Sequence, residues 1–375
     1  LKNTAHAAFR LRAGSPAYSI LYAFQGLGGI DGVNPQAGVT GANGLLYGTT
    51  FSGTTLKMPG CTEGCGTVYA VNPAGQETFL YSFAGAPGDG AGPQASVINV
   101  NGTLWGTTVY GGSSGANGGA SGDGTVFAIN ASGGEAIVHS FTGAPNDGAG
   151  PYAELVYDGK GNLYGTTSGG GAHNDGTVFV IDTAGNEKVL YSFGAVSGDG
   201  AFPYGGLVFD KKGNLYGTTA EGGAHYGGSV FTITPAGKEK VIYSFSCGSD
   251  GCNPRDHLTY DGKSHFYGVT YSGGRNNYGT VFEMSPAGKE RVLYRFLGGS
   301  DGENPYGGLV LVSVPAAYAE EVIRRAATLA LEDEFAQSLL RAGVSLDDAY
   351  PIPASRRSEF EAFARERRDR HRENE

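Results

Sequence analysis

Three stretches place groups suited to sugar or anion recognition at the same point of a recurring loop: His173-Asn174-Asp175, His225-Tyr226 and Arg275-Asn276-Asn277-Tyr278. Imidazole, amide, phenol and guanidinium groups combine hydrogen-bond donors and acceptors with flat faces. That set suits sugar hydroxyls or an acidic polymer, so a carbohydrate or another cell-surface component is the expected partner. Arg255, Asp256 and His257 stand in "PRDHL", where sister segments read "PYGGL", and mark a second polar patch.

Other chemical patterns fail on context. "GGSSG" at 111–115 matches a G-x-S-x-G elbow but sits in a glycine-rich loop with no helix to follow, so no nucleophile is expected there. Asp31, Asp89, Asp147, Asp199, Asp250 and Asp301 each open a D-G-x-x-P motif. Their loops lack the alternating oxygen donors of a calcium loop, and a turn-capping role is expected. Cys61/Cys65 and Cys247/Cys252 form two local pairs whose spacing departs from C-x2-C zinc sites. Loop-stapling disulfides are expected, in an oxidising compartment. No P-loop, metal site or cofactor motif emerges, and no acid/base pair stands out for an enzyme. Trp105 and His139, each replacing the usual tyrosine, read as core variation.

The elements that must position these groups are repeats. "L-[YW]-G-T-T" recurs with its aromatic at Tyr47, Trp105, Tyr164 and Tyr216, and "FYGVT" places it at Tyr267; the spacings are 58, 59, 52 and 51 residues. "G-[TS]-V-[FY]" follows each, and "ILYAF"-type and D-G-x-x-P frames occur six times each. Short β-branched and aromatic runs divided by Gly, Pro, Asn and Asp read as four strands per unit. Four strands in about 50 residues is the size of a β-propeller blade. The expected fold is all-β, a propeller-like array of five complete units from Asp31 to Phe296 within a repeat domain of 19–312. "SILYAF" at 19–24 and "GGLVLV" at 307–312 would be remnants of a split sixth blade lacking its two middle strands. Residues 1–18 are expected to be irregular.

The chain has 375 residues, 66 of them glycine, and a formal charge of −10, which disfavours a nucleic-acid backbone as partner. No window is apolar enough for a membrane span, and no signal peptide is visible. After residue 312 the language changes: 313–375 holds ten arginines, no lysine and one glycine, Gly343. Pro315, the apolar step Tyr318, Val322, Ala326, Leu329 and the capping box "SEFE" predict an α-helical extension. The sequons at Asn101 and Asn130 matter only in a glycosylating host.

The ordered set LYGTT, GTVF, PAG, LYSF and DGxxP resembles the bacterial tandem repeat called GloVer, over residues 19–312. The resemblance implies a repeat architecture in a secreted or surface protein and carries no reaction. Separately, "LVSVPAAYAEEVIRRA" and "LLRAGVSLDDAYP" resemble the C-terminal end of RraA-like proteins, whose active-site residues would lie upstream, where this chain has repeats. "GGLVLVSVP" suits either sequence, so a join of two unrelated sequences is expected there. The expected function is a non-enzymatic binding or structural module. The alternatives are a polysaccharide hydrolase or lyase, or an RraA-like aldolase fragment without its site.

Overall fold

A computed structural model describes residues 7–11, 18–24, 32–53, 61, 63–115, 121–130, 133–309 and 311. The helical extension and the RraA-like tail lie outside the described residues, as does Asp31. Leu1–Leu311 form one compact unit.

Five four-stranded antiparallel meanders carry the repeats. Unit 1 is Thr40–Ala42, Leu45–Thr50, Thr67–Val71 and Glu77–Ser82. Unit 2 is Ile98–Val100, Thr103–Thr108, Thr125–Ile129 and Glu135–Ser140. Unit 3 is Val156–Tyr157, Asn162–Thr167, Thr177–Asp182 and Glu187–Ser192. Unit 4 is Val208–Phe209, Leu215–Thr219, Ser229–Ile233 and Glu239–Ser244. Unit 5 is Thr259–Tyr260, Phe266–Thr270, Thr280–Met284 and Glu290–Arg295. The described residues thus form an all-β, propeller-like array of four-stranded blades.

A bulge interrupts the third and fourth strands of every unit at the same place, between Val178 and Phe179 in unit 3 and between Val230 and Phe231 in unit 4. The extra residue lies on the fourth strand, Leu190 in unit 3 and Ile242 in unit 4, and sharpens the local twist. The second strand uses glycine because the third-strand aromatic lies across it. A Cβ on Gly165 would fall 2.5 Å from Phe179 Cζ, and one on Gly217 would fall 2.6 Å from Phe231 Cζ.

The units interlock through the phenylalanine that ends each fourth strand. Phe83, Phe141, Phe193 and Phe245 are fully buried and meet Phe127, Phe179, Phe231 and Phe282 of the next unit edge to face. Centroid separations are 5.0, 5.1, 5.0 and 5.2 Å, within the favoured range for aromatic pairs. A second stitch runs from the second strands: the hydroxyls of Thr49, Thr107, Thr166 and Thr218 donate to the carbonyls of Ala95, Ala153, Gly205 and Asp256 in the next unit.

The amino-terminal expectation needs correction. Ala7–Leu11 is a strand, paired antiparallel with Tyr18–Ala23, and its register shifts between Ala8 and Phe9. That is the third-to-fourth-strand pattern of the five units, so the fourth-strand remnant expected at 19–24 has its third strand beside it and only one middle strand of the partial blade is unaccounted for. Phe24 closes on Tyr69 of unit 1 at 5.0 Å, as the other fourth-strand phenylalanines do. The signal was weak because "AAFRL" shares only its phenylalanine with "GTVF". At the other end, Thr259 donates to the Leu309 carbonyl, matching the bond from Thr40 to Val97 between units 1 and 2.

The interlock predicts a sharp contrast. Phe193→Ala should lower unfolding stability by about 3–5 kcal/mol, the usual cost of deleting a buried aromatic. Tyr226→Ala, at an exposed loop tip, should stay within about 0.5 kcal/mol. Urea unfolding followed by Trp105 fluorescence measures both.

Candidate functional site

The predicted loop arc occupies three equivalent tips. Asn174, Tyr226 and Asn277 share a left-handed backbone, with φ of 60°, 61° and 62°. The side chains of Asn174 and Asn277 close their own loops: each Oδ1 accepts an N–H, from Gly170 at 3.1 Å and Gly273 at 2.9 Å. These two asparagines are turn-formers in the first instance, a role asparagine fills because it tolerates positive φ. His173, His225, Arg275 and Asn276 are exposed, Asp175 and Tyr278 are half-buried, and the Tyr226 ring is 84% exposed.

A tighter assembly forms where the last four of the six D-G-x-x-P motifs end. Tyr152, Tyr204, Arg255 and Tyr306 follow the proline of four successive motifs. Tyr152 and Tyr204 meet edge to face at 5.2 Å, and Tyr271 meets Tyr306 likewise at 5.1 Å. The Arg255 guanidinium carbon lies 4.7 Å from the Tyr271 centroid, 5.4 Å from Tyr306 and 5.8 Å from Tyr204. One guanidinium nitrogen donates to the Tyr306 hydroxyl at 2.5 Å. Its Nε is buried without a hydrogen-bond partner. A guanidinium seated among tyrosine faces is fixed in place by cation–π attraction while its charge remains available to an anion.

Two residues further along the chain, His257 Nδ1 lies 2.8 Å from Asp256 Oδ1, which also accepts the His257 backbone N–H at 2.6 Å. Glu154 Oε1 approaches the same Nδ1 at 3.9 Å. The bond to Asp256 raises the imidazole pKa above its ordinary value, against the effect of burial. Burial also raises that of Glu154, opposed by the imidazole. "PRDHL" was the visible signal; its convergence with Glu154 and three tyrosines from other segments was not visible, because it depends on how units stack.

The D-G aspartates cap turns. Asp199 Oδ2 accepts the Tyr191 hydroxyl at 2.9 Å and the Gly194 N–H at 2.9 Å, while Oδ1 accepts the Gly200 N–H at 2.8 Å. Asp89 binds Tyr81 and Asp250 binds Tyr243 in the same way. Sequence reasoning missed a second acid at each seam. Glu135, Glu187, Glu239 and Glu290 each open a fourth strand and face the tyrosine or histidine and the aspartate across the seam; each has a buried Oε1 without a hydrogen-bond partner. Where the tyrosine is replaced by His139, the cluster becomes His139, Asp147 and Glu187, the group of donors among the described residues able to converge on a metal ion. Cys61 is disulfide-bonded to Cys65, and Cys247 to Cys252.

The chain belongs to the Gloeobacter/Verrucomicrobia repeat family, whose model matches residues 2–208 and 114–318. No curated protein matches it. Among solved structures it is similar to a structural genomics protein of unknown function from Bacteroides thetaiotaomicron, with 13% identity over 69% of this chain and a TM-score of 0.42. Others are Bacteroides ovatus xyloglucan PUL GH43B (15%, 76%, 0.36) and PorZ, a surface component of the type-IX secretion system of Porphyromonas gingivalis (15%, 69%, 0.41). The chain spans 57%, 58% and 33% of those three chains.

The seam acids set a pH dependence. Glu135, Glu187, Glu239 and Glu290 are pushed up to about 7, first by burial and then by the facing aspartate. Between about 4.5 and 7 the folded chain therefore holds protons that the unfolded chain has released, and stability falls as pH rises through that window. Asp147 and Asp250 are lowered by their hydrogen bonds, in spite of burial; their stabilisation is lost as pH falls below the ordinary carboxylate range. Thermal melting should peak on the mildly acidic side, near pH 5, and drop towards pH 8. The quadruple variant with glutamine at all four glutamates should flatten the alkaline limb.

Proposed function

We propose that the chain is a non-enzymatic binding module of a secreted or surface bacterial protein, and that its ligand is an acidic saccharide chain. The observation that carries this reading is Arg255, clasped by Tyr204, Tyr271 and Tyr306 and without a carboxylate partner in any ion pair among the described residues. Tyrosine faces stack on sugar rings, and a planar guanidinium pairs with a uronate carboxylate. The exposed tips at His173, His225 and Arg275, with Tyr226, Asn276 and Tyr278, supply secondary contacts in this reading. The two disulfides are consistent with an extracellular setting, and no described helix is long and apolar enough to cross a membrane.

A second reading draws on Asp256, His257 and Glu154, since an imidazole oriented by one carboxylate and close to another is suited to proton transfer. It makes the same face the site of a hydrolase or lyase.

Calorimetric titration of the full chain with polygalacturonate and with neutral dextran separates these readings. Binding to the acidic polymer is expected, weakened roughly tenfold or more by Arg255→Ala, which removes about 1.4 kcal/mol or more of cation-dependent affinity. Undiminished binding by that variant would remove Arg255 from the site. Undiminished binding by the triple variant H173A/H225A/R275A would remove the loop tips. Release of reducing ends or unsaturated products that stops in His257→Ala would favour the enzyme.

A further inference from the structure

We infer that His139, Asp147 and Glu187 form a binding site for a divalent transition-metal ion of the zinc class at the seam between units 2 and 3. One donor atom from each of the three residues lies within 4.8 Å of the other two. His139 Nε2 and Asp147 Oδ2 are 3.2 Å apart. Tetrahedral zinc, with bonds of about 2.0–2.2 Å, places its ligand atoms roughly 3.4 Å from one another. In the metal-free chain that contact is a hydrogen bond between the imidazole and the carboxylate; release of its proton leaves two donors at the spacing of a ligand pair, and rotation of the Glu187 carboxylate supplies the third.

The repeat provides its own control. At the equivalent seams the groups are Tyr81, Asp89 and Glu135; Tyr191, Asp199 and Glu239; and Tyr243, Asp250 and Glu290. There a phenol hydroxyl donates to the aspartate at 2.9, 2.9 and 3.0 Å and stays protonated, its pKa raised first by burial and further by the two acids. A protonated phenol gives its one hydrogen to the aspartate and leaves no lone-pair donor suited to a cation there. Neutral imidazole offers a lone pair instead, so a single replacement turns a proton-bridged seam into one imidazole and two carboxylate donors.

The surroundings suit an ion. His139 and Asp147 side chains are 20% and 11% exposed, so the paired acids sit where water screens them poorly and a dication would relieve their repulsion. Glu187 Oε1 is buried without a hydrogen-bond partner. Phe141 meets the imidazole edge to face at 4.7 Å and holds its plane. The Thr142 N–H at 2.9 Å and hydroxyl at 3.2 Å donate to Asp147 Oδ2 and the Gly148 N–H at 2.7 Å to Oδ1, which holds the carboxylate in place beside the imidazole. Three donors that include an imidazole suit zinc or its neighbours rather than calcium, which takes six to eight oxygens.

The test uses the full chain stripped with a chelator, titrated calorimetrically with zinc chloride and melted with and without zinc. One zinc ion per chain should bind in the micromolar range or tighter and raise the melting temperature. His139→Tyr restores the residue of the sister seams, so it should fold with a similar metal-free melting temperature and bind zinc roughly 100-fold more weakly. Glu187→Gln is the second variant and should weaken binding in the same direction. Equal zinc affinity in the wild type and both variants, no zinc binding by the wild type, or stabilisation by calcium but not zinc would each overturn the assignment.

Discussion

The fold depends on the contact between a phenylalanine at the end of one unit and an aromatic in the third strand of the next. A four-stranded meander of this length has two faces and too little chain to cover either, so a unit taken alone would leave both rings in water. Placing Phe193 on Phe231 and Phe245 on Phe282 removes that surface twice over, and it makes the stability of each blade a property of its neighbour. The glycine in every L-Y-G-T-T frame follows from this, because the third-strand ring leaves no space for a Cβ on the second strand.

Because the interlock draws adjacent blades together at their fourth strands, it also forces two carboxylates towards each other at every seam. The D-G aspartate is committed to capping the turn that carries the chain into the next unit, its carboxylate accepting backbone N–H bonds on both oxygens. The glutamate of the following fourth strand receives no such bonds on Oε1, so burial first and the facing aspartate second raise its pKa, while hydrogen bonds lower those of Asp147 and Asp250. The tyrosine between them eases the conflict by donating its hydroxyl hydrogen to the aspartate. Five-fold recurrence of the glutamate at the head of the fourth strand, from Glu77 to Glu290, is thus a mark of the seam and not of a surface charge pattern.

What could be read in the sequence was what recurs locally. The strand runs, the turn glycines and the capping role of Asp89 or Asp199 depend on residues within a few positions of one another, and repetition averages away accidents in any one copy. Ala7–Leu11 escaped notice because its copy has drifted, keeping Phe9 but losing the flanking Gly-Thr-Val; the backbone pattern survived the loss of its letters. The polar loop tips were visible, although two of their asparagines prove to be closing turns. The Arg255 assembly and the seam acids were not visible, since Tyr204, Arg255 and Tyr306 lie about 50 residues apart along the chain and meet only through stacking.

Repetition also explains where specificity arises. When every blade carries the same group at the same place, the array presents a periodic surface, and selection for one ligand requires breaking the period. Two of the breaks differ in depth. At the D-G-x-x-P exits Tyr152 and Tyr204 give way to Arg255, and the glycines of "PYGGL" give way to Asp256 and His257, which adds charge to an aromatic row without disturbing the strands behind it. At the seams Tyr gives way once to His139, which leaves both carboxylates in place and changes only the group between them. Each replacement keeps the packing partner and alters the chemistry, as must be so where any larger change would cost the contact between one blade and the next.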